Sequence, residues 1–417
     1  MTAGTTARLV DALAPGLRVF VQGMSGESTL LREELAADPE RARGVIFDSA
    51  QFPGVDRTDY LGVHPEARLR AYFMSPSIRA AIPSGRAELF SLDYPGIVRH
   101  FADGPPVDLA IAQLSLPDED GLCSVGLSAD FLPLVWPRAK RRIAHLNPRL
   151  PHTRGVFRVH VSEIDVAVES DRPVLQFADP KVGDVETRIG QHVATLVRDG
   201  DTLQLGIGSV PSAVASVLRS HRKLRFFSGM ITAPARTLWE SGALDRDVRI
   251  TSGVLLGDDA FYQFAAGLEQ LWLTHAGHTH DVTTIAAIPR FVGVNGAVEV
   301  DLFGQVNSER VDGTIQAGSG GAPVFARGAQ GSAGGRFLVC LGATARKGTV
   351  SRIVPALGAS ALVTVPRYLT DAIVTEHGVA ELRGLTLDAR AQAIIAIAAP
   401  EHRDALGNAW DEMRKKI

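Results

Sequence analysis

Short apolar runs rich in β-branched residues alternate along this chain with stretches whose apolar positions recur at helical spacing. That alternation predicts βα units around a mainly parallel sheet. Leu17 to Gln22, Gly44 to Asp48, Val107 to Leu114 and Arg142 to Leu146 read as strands. Between the first two, Leu30, Leu31, Leu35 and Ala36 mark one face of a helix over Ser28 to Ala37. Periodicity lapses from Asp171 to Val185, where two prolines gather, and a linker is expected there. Beyond it, Ile189, Val193, Leu196 and Val197 define a helix over Glu186 to Asp199, and Thr202 to Leu205 is the next strand. A later strand falls at Arg336 to Leu341, and helices at Leu387 to Ala398 and His402 to Lys416 close the chain. The expected fold is α/β with two tandem domains, residues 1–184 and 185–417.

Composition narrows the partners. The 417 residues carry 43 basic and 46 acidic side chains, a net charge of -3, which leaves no electrostatic footprint for nucleic acid or an anionic membrane. The longest apolar stretches, Ala356 to Val365 and Ala393 to Pro400, fall well short of the roughly 20 residues that a membrane span needs. The N-terminal MTAGTTARLVDALAPG has no basic patch leading into an apolar core and a cleavage site, so it reads as a first helix and not as a secretory signal. With two cysteines, Cys123 and Cys340, far apart in sequence, a reducing, cytoplasmic location is expected.

Several stretches could carry chemistry. The strand ending at Leu205 runs into Gly206, Ile207, Gly208, Ser209, Val210 and Pro211 and then a helix, a turn whose backbone N–H groups suit a phosphate or an oxyanion. A plain structural turn uses the same residues, and the full dinucleotide fingerprint is absent. A second loop, Ala317, Gly318, Ser319, Gly320, Gly321, Ala322 and Pro323, lets backbone approach a ligand closely, at an entropic cost that favours function. In Asn295 to Gly304, alternation sets Val298, Val300 and Leu302 opposite Ala297, Glu299 and Asp301. The two acids could act as nucleophile or base, or simply face solvent. His275, Gly277, His278, His280 and Asp281 have metal-ligand chemistry but a loop spacing that fits a polar pocket wall or surface better, so no metal is expected. Asp118 to Gly121 reads as a solvated turn, and Cys123 as a buried structural thiol.

Taken in order, these segments resemble the acetyl-CoA hydrolase/transferase family, which includes 4-hydroxybutyrate CoA-transferase. FMSPSIRAAIPSGRAELF, LSLPDEDGLCSVGLSADF, HLNPRLPHTRG and HVSEIDVAVESDRPV carry the resemblance in the first half. LQLGIGSVPSAV, VEVDLFGQVNSE, AGSGGAPVFARGA, ATARKGTVSRIVP and AIVTEHGVAELRGLTL carry it in the second. It implies tandem CoA-transferase-type α/β domains with the active site at their interface, coenzyme A as a substrate, no permanently bound cofactor, and a homodimer or larger homo-oligomer. In such enzymes a glutamate attacks the thioester, forming an acyl anhydride and then a glutamyl-CoA thioester that passes CoA to an acceptor carboxylate. The resemblance places CoA contacts at Gly206, Ile207, Gly208, Ser209 and Val210, at Asn295, at Gly318, Gly320 and Gly321, and beside Gly229.

The departure from the family lies at that last position. Where relatives resemble HSEM, this chain has Phe227, Ser228, Gly229 and Met230, so a glycine stands at the glutamate position. Glycine cannot form an acyl anhydride. Glu299 and Glu376 are the carboxylates expected to take over, as nucleophile or as general base toward water. Val324 stands where relatives commonly have aspartate, and Phe227 in place of histidine makes the wall more apolar. The expected partners are an acyl-CoA and, for transfer, a small carboxylic acid. Two further readings stay open: a CoA-thioester-binding protein without turnover, and an acyl transferase or condensing enzyme of a biosynthetic pathway.

Overall fold

A computed structural model describes residues 7–52, 54–178 and 180–417. They divide into two compact units, the first made of residues up to Phe177 together with Thr251–His278, the second of Ala178–Ile250 with Thr279–Ile417.

In the first unit seven strands form one sheet in the order Ala87–Leu89, Arg68–Ala71, Ile46–Ser49, Arg18–Val21, Leu109–Leu114, Arg141–Leu146 and Val166–Glu169. Every pairing is parallel. A parallel sheet is covered on both faces, so its central strands are apolar throughout and do not alternate. Leu109–Leu114 is buried at all six positions. The helix between the first two strands runs Thr29–Ala37 and is started by Ser28, whose Oγ accepts the Leu31 N–H at 3.1 Å. Cys123 lies buried in a short strand, and desolvation pushes its thiol up to about 11. The Asp118 carboxylate accepts the N–H groups of Asp120 and Leu122, closing the turn at Gly121.

Among the described residues between Glu169 and Asp184 there is no helix or strand. In the second unit the sheet runs Arg225–Thr232, Thr202–Leu205, Phe291–Gly296, Arg336–Cys340, Ala372–Thr375 and Gly378–Glu381. The pairings are parallel until the last, where a tight hairpin makes Gly378–Glu381 antiparallel to Ala372–Thr375. The expected helix over 186–199 spans Asp184–Ala194, and its Ile189 and Val193 are fully buried as the periodicity requires. The closing helices run Leu387–Ala396 and Pro400–Arg414, and Trp410 on the last one is buried in a core with Phe291, Phe325 and Phe337.

Candidate active site

The strand Thr202–Leu205 is buried along its length and delivers the chain to Gly206 beside Val294, whose carbonyl accepts the Gly206 N–H at 3.1 Å. Gly208 has φ of 120°, a backbone state reserved in practice for glycine, and it is the N-cap of the helix Ser209–Val217. The helix begins at Ser209, three residues before the start near Ser212 that the sequence suggests, and Pro211 falls in its first turn as expected. The first N–H groups of any helix lack an intrahelical acceptor, and here those of Ser209 and Val210 sit at the turn. Open space surrounds Gly208, since a β-carbon there would meet nothing within 4 Å.

Beside this turn is a cavity of about 510 Å³ whose walls are Gly183 to Glu186, Ile189, Ile207 to Pro211, Gly296, Ala297, Cys340 to Gly342, Thr344 and Arg352. Ligands of parallel α/β sheets bind at the carboxyl ends of strands, and the strands ending at Leu205, Gly296 and Cys340 all end here. Asn295 is held in place by a 2.7 Å bond from its Nδ2 to Gln204 Oε1, with its own Oδ1 3.7 Å from where a Gly206 β-carbon would be. The structure therefore gathers Asn295 with the Gly206 to Val210 turn. Gly318, Gly320 and Gly321 do not line that cavity.

The second glycine loop has a different neighbour. Gly320 has φ of 58°, and Gly321 is the N-cap of the helix Ala322–Gly331. A β-carbon on Gly321 would lie 2.9 Å from His280 Nε2. Gly229 meets the same ring: a β-carbon there would lie 2.4 Å from His280 Cε1 and 2.7 Å from Nε2. Thr202 pairs with Arg225 and Leu203 with Phe226, so the parallel register brings Gly229 level with Gly206. The Ser228 hydroxyl donates to the Leu205 carbonyl at 3.2 Å, which fixes that alignment. His280 is 5% exposed, and its Nδ1 lies 2.9 Å from the buried Thr279 hydroxyl. In the sequence His280 stood out only as one imidazole of a group; its place against two glycines needed the fold.

The expected carboxylates stand elsewhere in this unit. Glu299 accepts from Asn307 Nδ2 at 2.9 Å and faces a cavity of about 460 Å³ that also holds Arg310, Arg346 and Arg352. Arg346 is ion-paired with Asp312. Glu376 accepts the Ala343 N–H at 2.8 Å, with His377 Nε2 3.7 Å from its other oxygen. Neither acid lines the cavity at the Gly206 turn. Arg352 lines both cavities; desolvation lowers its guanidinium pKa, and the charge of Glu376 opposes that shift. It was not singled out from sequence, although it lies in the segment ATARKGTVSRIVP.

Asp301, read as one of two acids on an outward face, is fully buried. It accepts the N–H groups of Phe303, Gln305 and Leu357 and the Gln305 side-chain amide, so it shapes a turn and does not face solvent. Phe227 and Val324 both belong to the apolar core with Phe325. Asp281 caps the helix Val282–Ala286 by accepting from the Thr284 N–H and hydroxyl at 2.7 and 2.8 Å. Among the described residues no group of three or more His, Cys, Asp or Glu side chains is arranged to hold a metal ion. No helix among them is long and apolar enough to cross a membrane.

Parallel α/β units with a glycine turn at the strand ends define a class of scaffold, and comparison with known proteins makes the class specific. The family model for the acetyl-CoA hydrolase/transferase N-terminal domain matches residues 5–179, and that for the C-terminal domain matches residues 257–410. The 4-hydroxybutyrate coenzyme A transferase of Clostridium kluyveri is 38% identical over 99% of this chain and 97% of its own. The succinyl-CoA:cyclohexane-1-carboxylate CoA transferase of Geobacter metallireducens is 32% identical over 94% and 90%. Among solved structures, RipA from Yersinia pestis superimposes with a TM-score of 0.88 at 26% identity, covering 97% of this chain and 96% of that one. A 4-hydroxybutyrate CoA-transferase from Porphyromonas gingivalis gives 0.80 at 29% identity, covering 98% and 96%. This chain belongs to the acetyl-CoA hydrolase/transferase family.

Proposed function

We propose that this protein is an enzyme that opens acyl-CoA thioesters, with hydrolysis favoured over transfer of CoA to a carboxylate. Family membership supports the substrate class, since relatives include CoA transferases and, at 25% identity, an acetyl-CoA hydrolase from Candida albicans. Coenzyme A binds at the Gly206 to Val210 turn, where the backbone N–H groups of Ser209 and Val210 border the cavity and Asn295 stands beside Gly206. The observation that carries hydrolysis is Gly229. Transfer by the family route stores the acyl group and then CoA on a glutamate, and a glycine offers no atom for either bond. Attack by activated water needs no enzyme-bound intermediate.

Of the two carboxylates expected to take over, Glu376 is committed to the Ala343 backbone, which fits a brace better than a reacting group. Glu299 faces a cavity rich in arginine, which fits a part in holding a polar substrate group. The protein works without a resident cofactor, in the cytoplasm, as a homodimer or larger homo-oligomer. Mixing it with acetyl-CoA and longer acyl-CoAs, with and without acetate, and following free thiol tests the assignment. Thiol release that does not depend on acetate is expected. Measurable acyl-CoA affinity with no turnover for any donor and acceptor would replace this reading with that of a binding protein. An acylated product other than the free acid would point to an acyl transferase.

A further inference from the structure

The cavity at the Gly206 turn and the arginine cavity adjoin within the second unit. The chain passes from the wall of the first into the wall of the second between Ala297 and Val298 and again between Thr344 and Ala345, and Arg352 stands in both walls. We infer that Arg352 holds a phosphate group of coenzyme A, with the adenosine end of the molecule in the arginine cavity beside Arg310 and Arg346. The inference rests on the acyl-CoA reading given above and adds where the charged end of that substrate lies.

Arg352 is set in a rigid frame. Its N–H donates to the Ala343 carbonyl at 2.9 Å, its carbonyl accepts the Val300 N–H at 2.9 Å, and Ile353 beside it is fully buried. The guanidinium is half-buried, and among the described residues it has no hydrogen-bond acceptor and no ion-pair partner. Glu376 acts on it at longer range, with that carboxylate already bonded to the Ala343 N–H at 2.8 Å. A guanidinium carries five N–H donors in a flat fork that matches phosphate two bonds at a time. Desolvating that charge without an acceptor is costly, and an arriving anion offsets the cost.

The rest of the lining fits the rest of the molecule. A volume of about 460 Å³ lies within the usual span of small-ligand sites, about 300–1,000 Å³. Its cations Arg310, Arg346 and Arg352 outnumber its anions Glu299 and Asp312, and Asp312 is paired with Arg346. Arg310 is oriented by a 2.7 Å bond from its Nε to the Gly313 carbonyl. Glu299 has one oxygen bonded to Asn307 at 2.9 Å and a second that can accept from a ribose hydroxyl or the adenine amino group. Val298, Val311 and Val350 add apolar surface for the base.

Calorimetric titration of the whole protein with coenzyme A, ADP and pantetheine tests the assignment. The wild type should bind coenzyme A more tightly than pantetheine, and ADP measurably. Arg352→Gln should weaken coenzyme A and ADP by about 10- to 10²-fold, the worth of a hydrogen bond to a charged group, and leave pantetheine unchanged. Arg346→Gln, at the exposed rim, should weaken the same two ligands by a smaller factor, and it reads the same cavity should Arg352→Gln fold poorly. Added salt should weaken coenzyme A binding to the wild type more than to Arg352→Gln. Equal affinity of the wild type for coenzyme A and pantetheine, or a coenzyme A affinity that neither variant reduces, overturns the inference and leaves the acyl-CoA reading standing. A wild type that binds none of the three ligands overturns the acyl-CoA reading and this inference with it.

Discussion

Gly190 packs directly on the backbone of Ala213: a β-carbon on Gly190 would lie 2.9 Å from the Ala213 carbonyl carbon and 3.0 Å from its oxygen. The helix Asp184–Ala194 thereby locks onto the helix Ser209–Val217, whose start forms the turn assigned to coenzyme A.

Replacing Gly190 tests that lock. On an exposed helix, Gly→Ala stabilises by about 1 kcal/mol. At this contact, overpacking should outweigh the gain and destabilise by about 1–3 kcal/mol. Gly190→Ala should lower the midpoint of thermal unfolding and weaken CoA binding, because the second helix must move with its turn. Calorimetry reads both, and a stabilised variant would mean the helices separate at no cost.

Gly208 makes a second prediction, independent of packing. A β-carbon there has open space, so Gly208→Ala meets no clash, only the strain of φ at 120°. That strain costs about 1–3 kcal/mol. The expected result is a modest loss of stability with a larger loss of CoA affinity, since relaxing the backbone rotates the N–H groups of the turn. Titration of CoA into the variant checks it.

The two glutamates should separate cleanly. Glu376→Ala leaves the Ala343 N–H without its acceptor and should cost about 1–3 kcal/mol of stability. Glu299→Gln keeps the shape and one acceptor toward Asn307, so stability should stay within about 0.5 kcal/mol. With Glu299 holding a polar substrate group and not reacting, Glu299→Gln should retain kcat within about threefold and shift KM more than kcat. Abolished turnover with an intact fold would return the catalytic part to Glu299.

The first unit carries its own pH signature. Desolvation raises the Asp130 carboxyl to about 8 and the Asp56 carboxyl to about 7, each with a contribution from a nearby carboxylate. Both folded values lie above the ordinary value of 3.8, so the folded state binds more protons than the unfolded chain between these limits. Stability is then greatest on the acid side of that window and falls as pH rises from about 4 through 7 and 8. Asp130→Asn, which removes the charge and keeps the shape, should raise the unfolding midpoint at pH 8 and flatten its dependence on pH. An unchanged profile would show that the carboxyl titrates near its ordinary value.

The alternation of apolar runs with helical periodicity was enough to read the parallel α/β character and most element positions, because buried parallel strands and amphipathic helices impose different periods. The helix face of Ile189 and Val193, the Ser28 cap and the strand at Leu109–Leu114 all follow from local chemistry. Asp301 did not, because alternation cannot distinguish an acid that faces water from one surrounded by four N–H donors of its own turn and neighbouring chain. His280 was visible only as an imidazole. What gives it meaning is the close approach of its ring to the backbone at Gly229 and Gly321, and the absence of a side chain is the feature that a linear sequence conveys least.

Because residues 251–278 belong with the first unit while 178–250 and 279–417 form the second, the polypeptide leaves the first unit, returns to it and leaves again. No single cut can yield both units whole. Ribosomal synthesis must likewise run to His278 before the first unit has all its parts, by which point residues 178–250 of the second have already been made.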